Sequence, residues 1–132
     1  MIQGKTILIT GGTGSFGKRM LDTLLRKHKC KKIIIFSRDE LKQYELKQKY
    51  PIKKYKNLRY FIGDIRDYNR LQLAFKNVDI VIHAAALKQV DTAEYNPIEV
   101  IKTNINGTEN VVRAAASSGV DKLIALSTDK AV

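Results

Sequence analysis

The residues best suited to chemistry are the glycines of Thr10-Gly11-Gly12-Thr13-Gly14-Ser15-Phe16-Gly17. Gly11, Gly14 and Gly17 give the spacing G-x-x-G-x-x-G, and Gly12, Gly14 and Gly17 also satisfy G-x-G-x-x-G. Such a run permits a tight turn, close approach of backbone to a pyrophosphate, and close packing of a helix on a strand. A helix that opens there aims free N–H groups and a partial positive charge at the phosphates. A glycine-rich turn without a ligand is the alternative. The position of the run, after an apolar strand-like segment and before an amphipathic one, favours the phosphate-binding reading.

Four further groups follow other apolar runs. Ser37-Arg38-Asp39 stands where NAD sites usually place an acid for the ribose hydroxyls. A hydroxyl and a guanidinium suit a 2′-phosphate, which a carboxylate would repel, and Lys42 adds charge one helical turn on. This favours NADP over NAD; the rival is a surface Arg38 with Asp39 capping a helix. In Gly63-Asp64-Ile65-Arg66-Asp67, Asp64 is placed to accept from an adenine amino group while Ile65 covers the ring; Asp67 serves equally well as a helix cap. His83-Ala84-Ala85-Ala86-Leu87-Lys88 has small residues that let a ribose and nicotinamide pass close to the backbone, with Lys88 in reach of a phosphate or substrate. His83 reads as a packed histidine. Ser127-Thr128-Asp129-Lys130 offers a hydroxyl, an acid and an amine to a substrate, or else a salt-bridged turn. A lysine base needs a lowered pKa, which a positive nicotinamide ring nearby would promote.

The elements that must position these groups alternate strictly. Short, nearly continuous apolar runs at 6–10, 32–37, 58–63, 79–84 and 122–127 read as strands buried on both faces. Between them Phe16, Met20, Leu21, Leu24 and Leu25 recur at helical spacing, and Leu41, Tyr44, Leu46 and Tyr50 form a looser stripe that Pro51 stops. Asp67 caps a helix over 68–76, and a long helix opens at Pro97 and ends at Gly119. Gly107 inside it costs about 1 kcal/mol against alanine, so a close packing contact is expected there. Alternating strands and helices imply right-handed crossovers. The expected fold is α/β, a doubly wound parallel sheet of the Rossmann type, with five strands and helices on both faces. Ligands in such sheets bind beyond the carboxyl ends of the strands, where every group above falls.

Composition narrows the class. The 132 residues are 44% apolar, which suits one globular domain. No run approaches the ~20 apolar residues of a membrane helix, and the N-terminus has no signal-peptide layout. The single cysteine, Cys30, excludes an internal disulfide, and with only His28 and His83 no metal site is expected. A reduced, cytoplasmic setting follows as the default. The net charge of +11 is confined to residues 18–59, which hold 15 of the 24 basic residues and four of the 13 acids. Such a stretch attracts nucleic acid or anionic surfaces, but with 17 lysines against seven arginines a solvated face is the favoured reading over a nucleic-acid partner.

Taken together, the strings TGGTGSFG, SRDELKQ, GDIRD, HAAALK, AEYNP, KTNINGTENVV and LSTDKAV resemble the extended short-chain dehydrogenase/reductase superfamily. Within it they resemble the inverting UDP-N-acetylglucosamine 4,6-dehydratases, the CapD-type polysaccharide biosynthesis proteins of bacterial capsule and surface-glycan synthesis. The resemblance covers essentially the whole chain. It implies that NADP takes hydride from sugar C4, that water leaves across C5 and C6, and that the hydride returns to C6 with inversion at C5. It also implies that Gly11, Thr13, Gly14, Ser15, Phe16 and Gly17 hold the pyrophosphate side of NADP. Ser37, Arg38, Asp39, Glu40, Leu41 and Lys42 would surround the 2′-phosphate, Asp64 and Ile65 the adenine, with Ala84 against the cofactor. Lys88 would contact cofactor and the UDP-sugar substrate, and Asp129 and Lys130 would form the acid/base pair for elimination.

The superfamily carries a Tyr-x-x-x-Lys motif soon after this point, and Val132 precedes any such motif; four residues beyond Tyr95 stands Glu99. The expectation is therefore an NADP-binding Rossmann domain over 1–132, without the catalytic tyrosine and the sugar-binding region. Rival readings are an NADP(H)-sensing module without catalysis and a UDP-sugar 4-epimerase. A homo-oligomer through the helix at 97–118 is a further expectation. The 132 residues alone are expected to show no dehydratase activity; turnover of UDP-N-acetylglucosamine by the purified chain would overturn this.

Overall fold

The computed structural model describes residues 2–84 and 97–125, with 97–106 described by backbone alone. The order is β1 (Thr6–Thr10), α1 (Ser15–Lys27), β2 (Lys32–Ser37), α2 (Glu40–Lys49), β3 (Leu58–Ile62), α3 (Tyr68–Ala74), β4 (Ile80–His83), α4 (Pro97–Ser117) and β5 (Lys122–Ala125). The five strands form one sheet in the order β3-β2-β1-β4-β5, and every pairing is parallel. This is the doubly wound sheet expected from the alternation, and the strand order reverses between β1 and β4.

Side chains alternate across each strand, so the sheet sorts its apolar residues into two cores. Ile7, Ile9, Ile33, Ile35, Ile80 and Ile82 face one side and pack with Leu21 and Leu24 of α1 and Leu46 of α2. Leu8, Ile34, Phe36 and Val81 face the other and pack with Leu71 and Ala74 of α3 and with Val111, Ala114 and Ala115 of α4. Both faces of β1 are thus covered, which is why all five of its residues are buried. Complete burial of one such aliphatic side chain stabilises the fold by about 1.5–3 kcal/mol.

The helix ends follow their sequence signals. Asp39 and Asp67 are N-caps whose carboxylates accept from the backbone N–H of Lys42 and Arg70. Tyr50 ends α2 before Pro51, and Gly119, at φ +73°, ends α4. Two expectations are corrected. The edge strands β3 and β5 are not buried on both faces: β3 is only partly buried beyond Leu58, and in β5 Lys122, Ile124 and Ala125 are exposed, because each pairs with a neighbour on one side alone. Leu41 and Tyr44 do not belong to the buried stripe of α2; they are 67% and 62% exposed, while Gln43 and Leu46 face inward. Gln43 takes the inward place because its amide donates to Ser37 O, Ser37 Oγ and Phe61 O at 3.1–3.2 Å. Those groups lie at the ends of β2 and β3 and need partners once buried.

His83 is fully buried at the end of β4. Its Nδ1 lies 2.7 Å from Thr10 Oγ1 on β1 and its Nε2 3.1 Å from Thr108 Oγ1 on α4. A neutral imidazole donates at one nitrogen and accepts at the other, so it links the two strands at the switch point to the long helix. Burial pushes its pKa down from 6.5 to about 4. The unfolded chain therefore takes up the proton first, and the stability carried by neutral His83 is complete above about pH 6.5 and lost as pH falls toward 4. The loss is expected to reach at most about 3 kcal/mol. Urea midpoints compared between pH 7.5 and 4.5 should show it in the parent and much less of it in His83→Gln; equal losses in both would assign the acid sensitivity elsewhere.

Candidate functional site

The carboxyl end of β1 passes into α1 over four residues. Gly11 holds φ at +66°, a conformation that disfavours any side chain, and its N–H donates to Phe36 O at 2.9 Å, which ties the loop to β2. Gly14 N donates to Gly11 O at 3.0 Å and closes the turn. The first turn of α1 then lies directly on the loop: a Cβ on Gly17 would sit 2.5 Å from Gly12 Cα. A Cβ on Gly12 would meet Ile35 Cγ2 at 2.7 Å. Neither position admits a side chain without moving backbone or core.

This loop has the features of an anion cradle. Gly14 is the N-cap of α1 and supplies no side-chain acceptor, and the first turn carries no acid. The N–H groups at that terminus are left for an external acceptor, with the helix dipole behind them. Thr13 is 2% exposed, and its Oγ1 has no hydrogen-bond partner among the described residues. A buried hydroxyl without a partner costs about 1–3 kcal/mol, and a phosphate oxygen would remove that cost. Ser15 is exposed on the rim, and Phe16 packs partly into the α1 core. The residues present fit a pyrophosphate.

At the end of β2, Ser37 is buried and its hydroxyl is engaged by Gln43. Arg38 is 66% exposed, with Nη1 3.7 Å from Asp64 Oδ2. Asp39 caps α2, and Glu40, Leu41 and Lys42 lie exposed on its first turn. At the end of β3, Asp64 is clasped by Arg66: Nη2 donates to Oδ2 at 2.7 Å, Nε to both oxygens at 3.1 Å, and the backbone N–H to Oδ1 at 2.9 Å. The Arg66 hydrogen bonds hold the Asp64 carboxyl below its ordinary pKa. Asp64, Arg66, Asp67, Tyr68 and Asn69 line a shallow depression open to solvent. At the end of β4, Ala84 is buried and its N–H donates to Thr10 O at 3.1 Å.

The structure thus brings residues 11–17, 37–42, 64–65 and 84 together along the carboxyl edge of the sheet. Lys88, Asp129 and Lys130 lie outside the described residues. Sequence reasoning missed Gln43, Arg66, Thr108 and Asn110, which fix that edge. Gln43 carried a signal in its spacing, three residues before the buried Leu46. Among the described residues there is no group of three or more potential metal ligands and no helix long and apolar enough to cross a membrane.

A doubly wound parallel sheet with this glycine turn at the end of β1 is a Rossmann-class fold. The family model described as polysaccharide biosynthesis protein matches residues 7–132, and the chain belongs to that family. The UDP-N-acetylglucosamine 4,6-dehydratase (inverting) of Campylobacter jejuni subsp. jejuni serotype O:23/36 (strain 81-176) is 60% identical over 99% of this chain and 38% of its own length. The UDP-glucose 4-epimerase of Rickettsia bellii (strain OSU 85-389) is 53% identical over 100% of this chain and 39% of its own. Among solved structures, Pen from Bacillus thuringiensis superposes with a TM-score of 0.84 at 44% identity, over 95% of this chain and 37% of that one. The UDP-glucose 4-epimerase from Bifidobacterium longum, solved in complex with NAD+ and UDP, gives 0.72 at 25% identity over 94% and 37%. The chain spans about two fifths of the length of the curated relatives it matches.

Replacing Gly17 by alanine is expected to destabilise the protein by about 2 kcal/mol or more, because the new methyl meets Gly12 backbone. Dinucleotide affinity should fall with it, read by calorimetric titration. A Gly17→Ala protein with unchanged urea midpoint and unchanged affinity would remove the packing argument.

Proposed function

We propose that this chain is the cofactor-binding part of an NADP-dependent UDP-N-acetylglucosamine 4,6-dehydratase that inverts C5 and supplies 4-keto-6-deoxy sugar nucleotides for surface-glycan synthesis in the cytoplasm. The observation that carries the reading is the 60% identity to an inverting dehydratase across nearly the whole chain. The geometry supports its first half. The Gly11–Gly17 loop and Thr13 offer donors to a pyrophosphate, and Arg38 with Lys42 offers cations to a 2′-phosphate beside the end of β2. Asp64 and Ile65 offer an edge to the adenine.

NADP, when bound, supplies a hydride acceptor for sugar C4 and a hydride donor for C6. The chain's own residues bind and orient the cofactor and move protons. In this reading Lys88 contacts cofactor and substrate. Lys130 and Asp129 form the acid/base pair that removes the C5 proton and protonates the departing C6 hydroxyl. In this reading the tyrosine and lysine that handle the C4 hydroxyl in the superfamily are not among these 132 residues.

NADP rather than NAD rests on Arg38 where an acid would serve NAD. Arg38→Ala should weaken NADP+ binding about tenfold and leave NAD+ binding within about twofold, since only the former carries the 2′-phosphate. Equal losses for both dinucleotides would reject the assignment. The 53% identity to UDP-glucose 4-epimerases keeps epimerisation as a second reading. Product analysis of the whole gene product with UDP-N-acetylglucosamine separates them: a 4-keto-6-deoxy product with inverted C5 supports the dehydratase, and a 4-epimer without loss of water supports the epimerase.

A further inference from the structure

The turn between β3 and α3 is gripped by α4 at two points. A Cβ on Gly107 would lie 2.5 Å from Ile65 Cδ1 and 2.8 Å from Cγ1, so the Ile65 side chain rests against helix backbone where no larger residue leaves room. Three residues on, Asn110 Nδ2 donates to Ile65 O and to Arg66 O, each at 3.1 Å. From the other side Arg70 Nε donates to Ile62 O at 2.9 Å, and Asp67 N donates to Asp64 O at 2.9 Å. Side chain and peptide planes of the turn are therefore both set by contacts from helices.

The grip fixes a particular pair of groups. Asp64 presents a carboxylate, an acceptor that Arg66 already engages at both oxygens and that a purine amino group would share with it. The neighbouring Ile65 N–H donates to nothing among the described residues. An acceptor beside a donor is the complement of the adenine edge, where the amino group donates and ring N1 accepts. Hypoxanthine reverses both, with a carbonyl acceptor and a protonated N1.

We propose that Gly107 and Asn110 are positioning residues for purine recognition: through Ile65 and the turn carbonyls, α4 holds the Asp64 carboxylate and the Ile65 N–H in register with an adenine edge. This rests on the dinucleotide reading above. Neither residue need touch the ligand. A purely structural role predicts lower stability with no change in which purine is preferred.

The test is the ratio of dissociation constants for deamino-NADP+, which carries hypoxanthine, and NADP+, measured by calorimetry on the same protein. A ratio cancels losses of folded protein, because both ligands report on the same folded fraction. The parent should favour NADP+ by at least about tenfold. Gly107→Ala and the milder Asn110→Ser should bring the ratio to within about threefold of unity. Gly107→Ala combined with Ile65→Ala, which removes the two atoms the new methyl meets, should recover much of the preference. Variants that keep the parent's ratio while losing stability overturn the proposal. A parent that binds both dinucleotides equally also overturns it and leaves the dinucleotide reading standing, whereas a parent that binds neither removes both.

Discussion

A strand buried on both faces by two helical layers has to turn its chain sharply at its end, and in this protein the turn after β1 depends on backbone touching backbone. Gly17 on α1 sits against Gly12 in the loop, with room for no side chain between them. That contact sets how close α1 approaches the sheet, and Leu21 and Leu24 can then reach Ile7 and Ile9. It also sets where the helix terminus points. Gly11 links the same turn to Phe36 O, so the ends of β1 and β2 are fixed together. A loop that packs the fold and a loop that offers N–H groups to a phosphate are here one structure, held by one steric requirement.

At the carboxyl ends of the strands and in the turns that follow, the helices supply donors to backbone carbonyls, including Ser37 O, which also accepts from Gly63 N–H. Gln43 of α2 serves Ser37 O and Phe61 O, Arg70 of α3 serves Ile62 O, and Asn110 of α4 serves Ile65 O and Arg66 O. His83 joins the end of β4 to Thr10 on β1 and Thr108 on α4. Each bond is modest, about 1 kcal/mol net, but leaving such a buried group unpaired costs more. The rim where a ligand would lie is thus held for reasons of backbone satisfaction, and Thr13 Oγ1 stands out beside it as a buried hydroxyl without a partner among the described residues.

Charge is divided by layer. The basic stretch 18–59 runs from α1 through β2 and α2 to the start of β3; its helices lie on one side of the sheet, and its lysines are exposed. The ion pairs among the described residues involve Asp22 and Asp64, not these lysines. Lys47, Lys49 and Lys54 instead lie about 5.5 Å from tyrosine ring centroids, contacts that keep a lysine on an apolar surface while its charge stays in water. The layer carries its charge as a solvated face.

By itself the sequence determined the order of strands and helices, the two-sided burial of the central strands, the cap at Asp67 and the glycine turn; the cap at Asp39 it offered only as the rival to a 2′-phosphate site. These follow from hydropathy period and local backbone sterics, which act over a few residues. It also flagged Gly107 as a close contact without naming the partner. Only the tertiary structure decided that Ile65 meets Gly107, that His83 spans Thr10 and Thr108, and that Gln43 rather than Leu41 or Tyr44 faces inward. Those outcomes rest on pairs far apart in the chain. A polar side chain takes a buried position when carbonyls from other strands are waiting there, and that demand exists only once the sheet has formed.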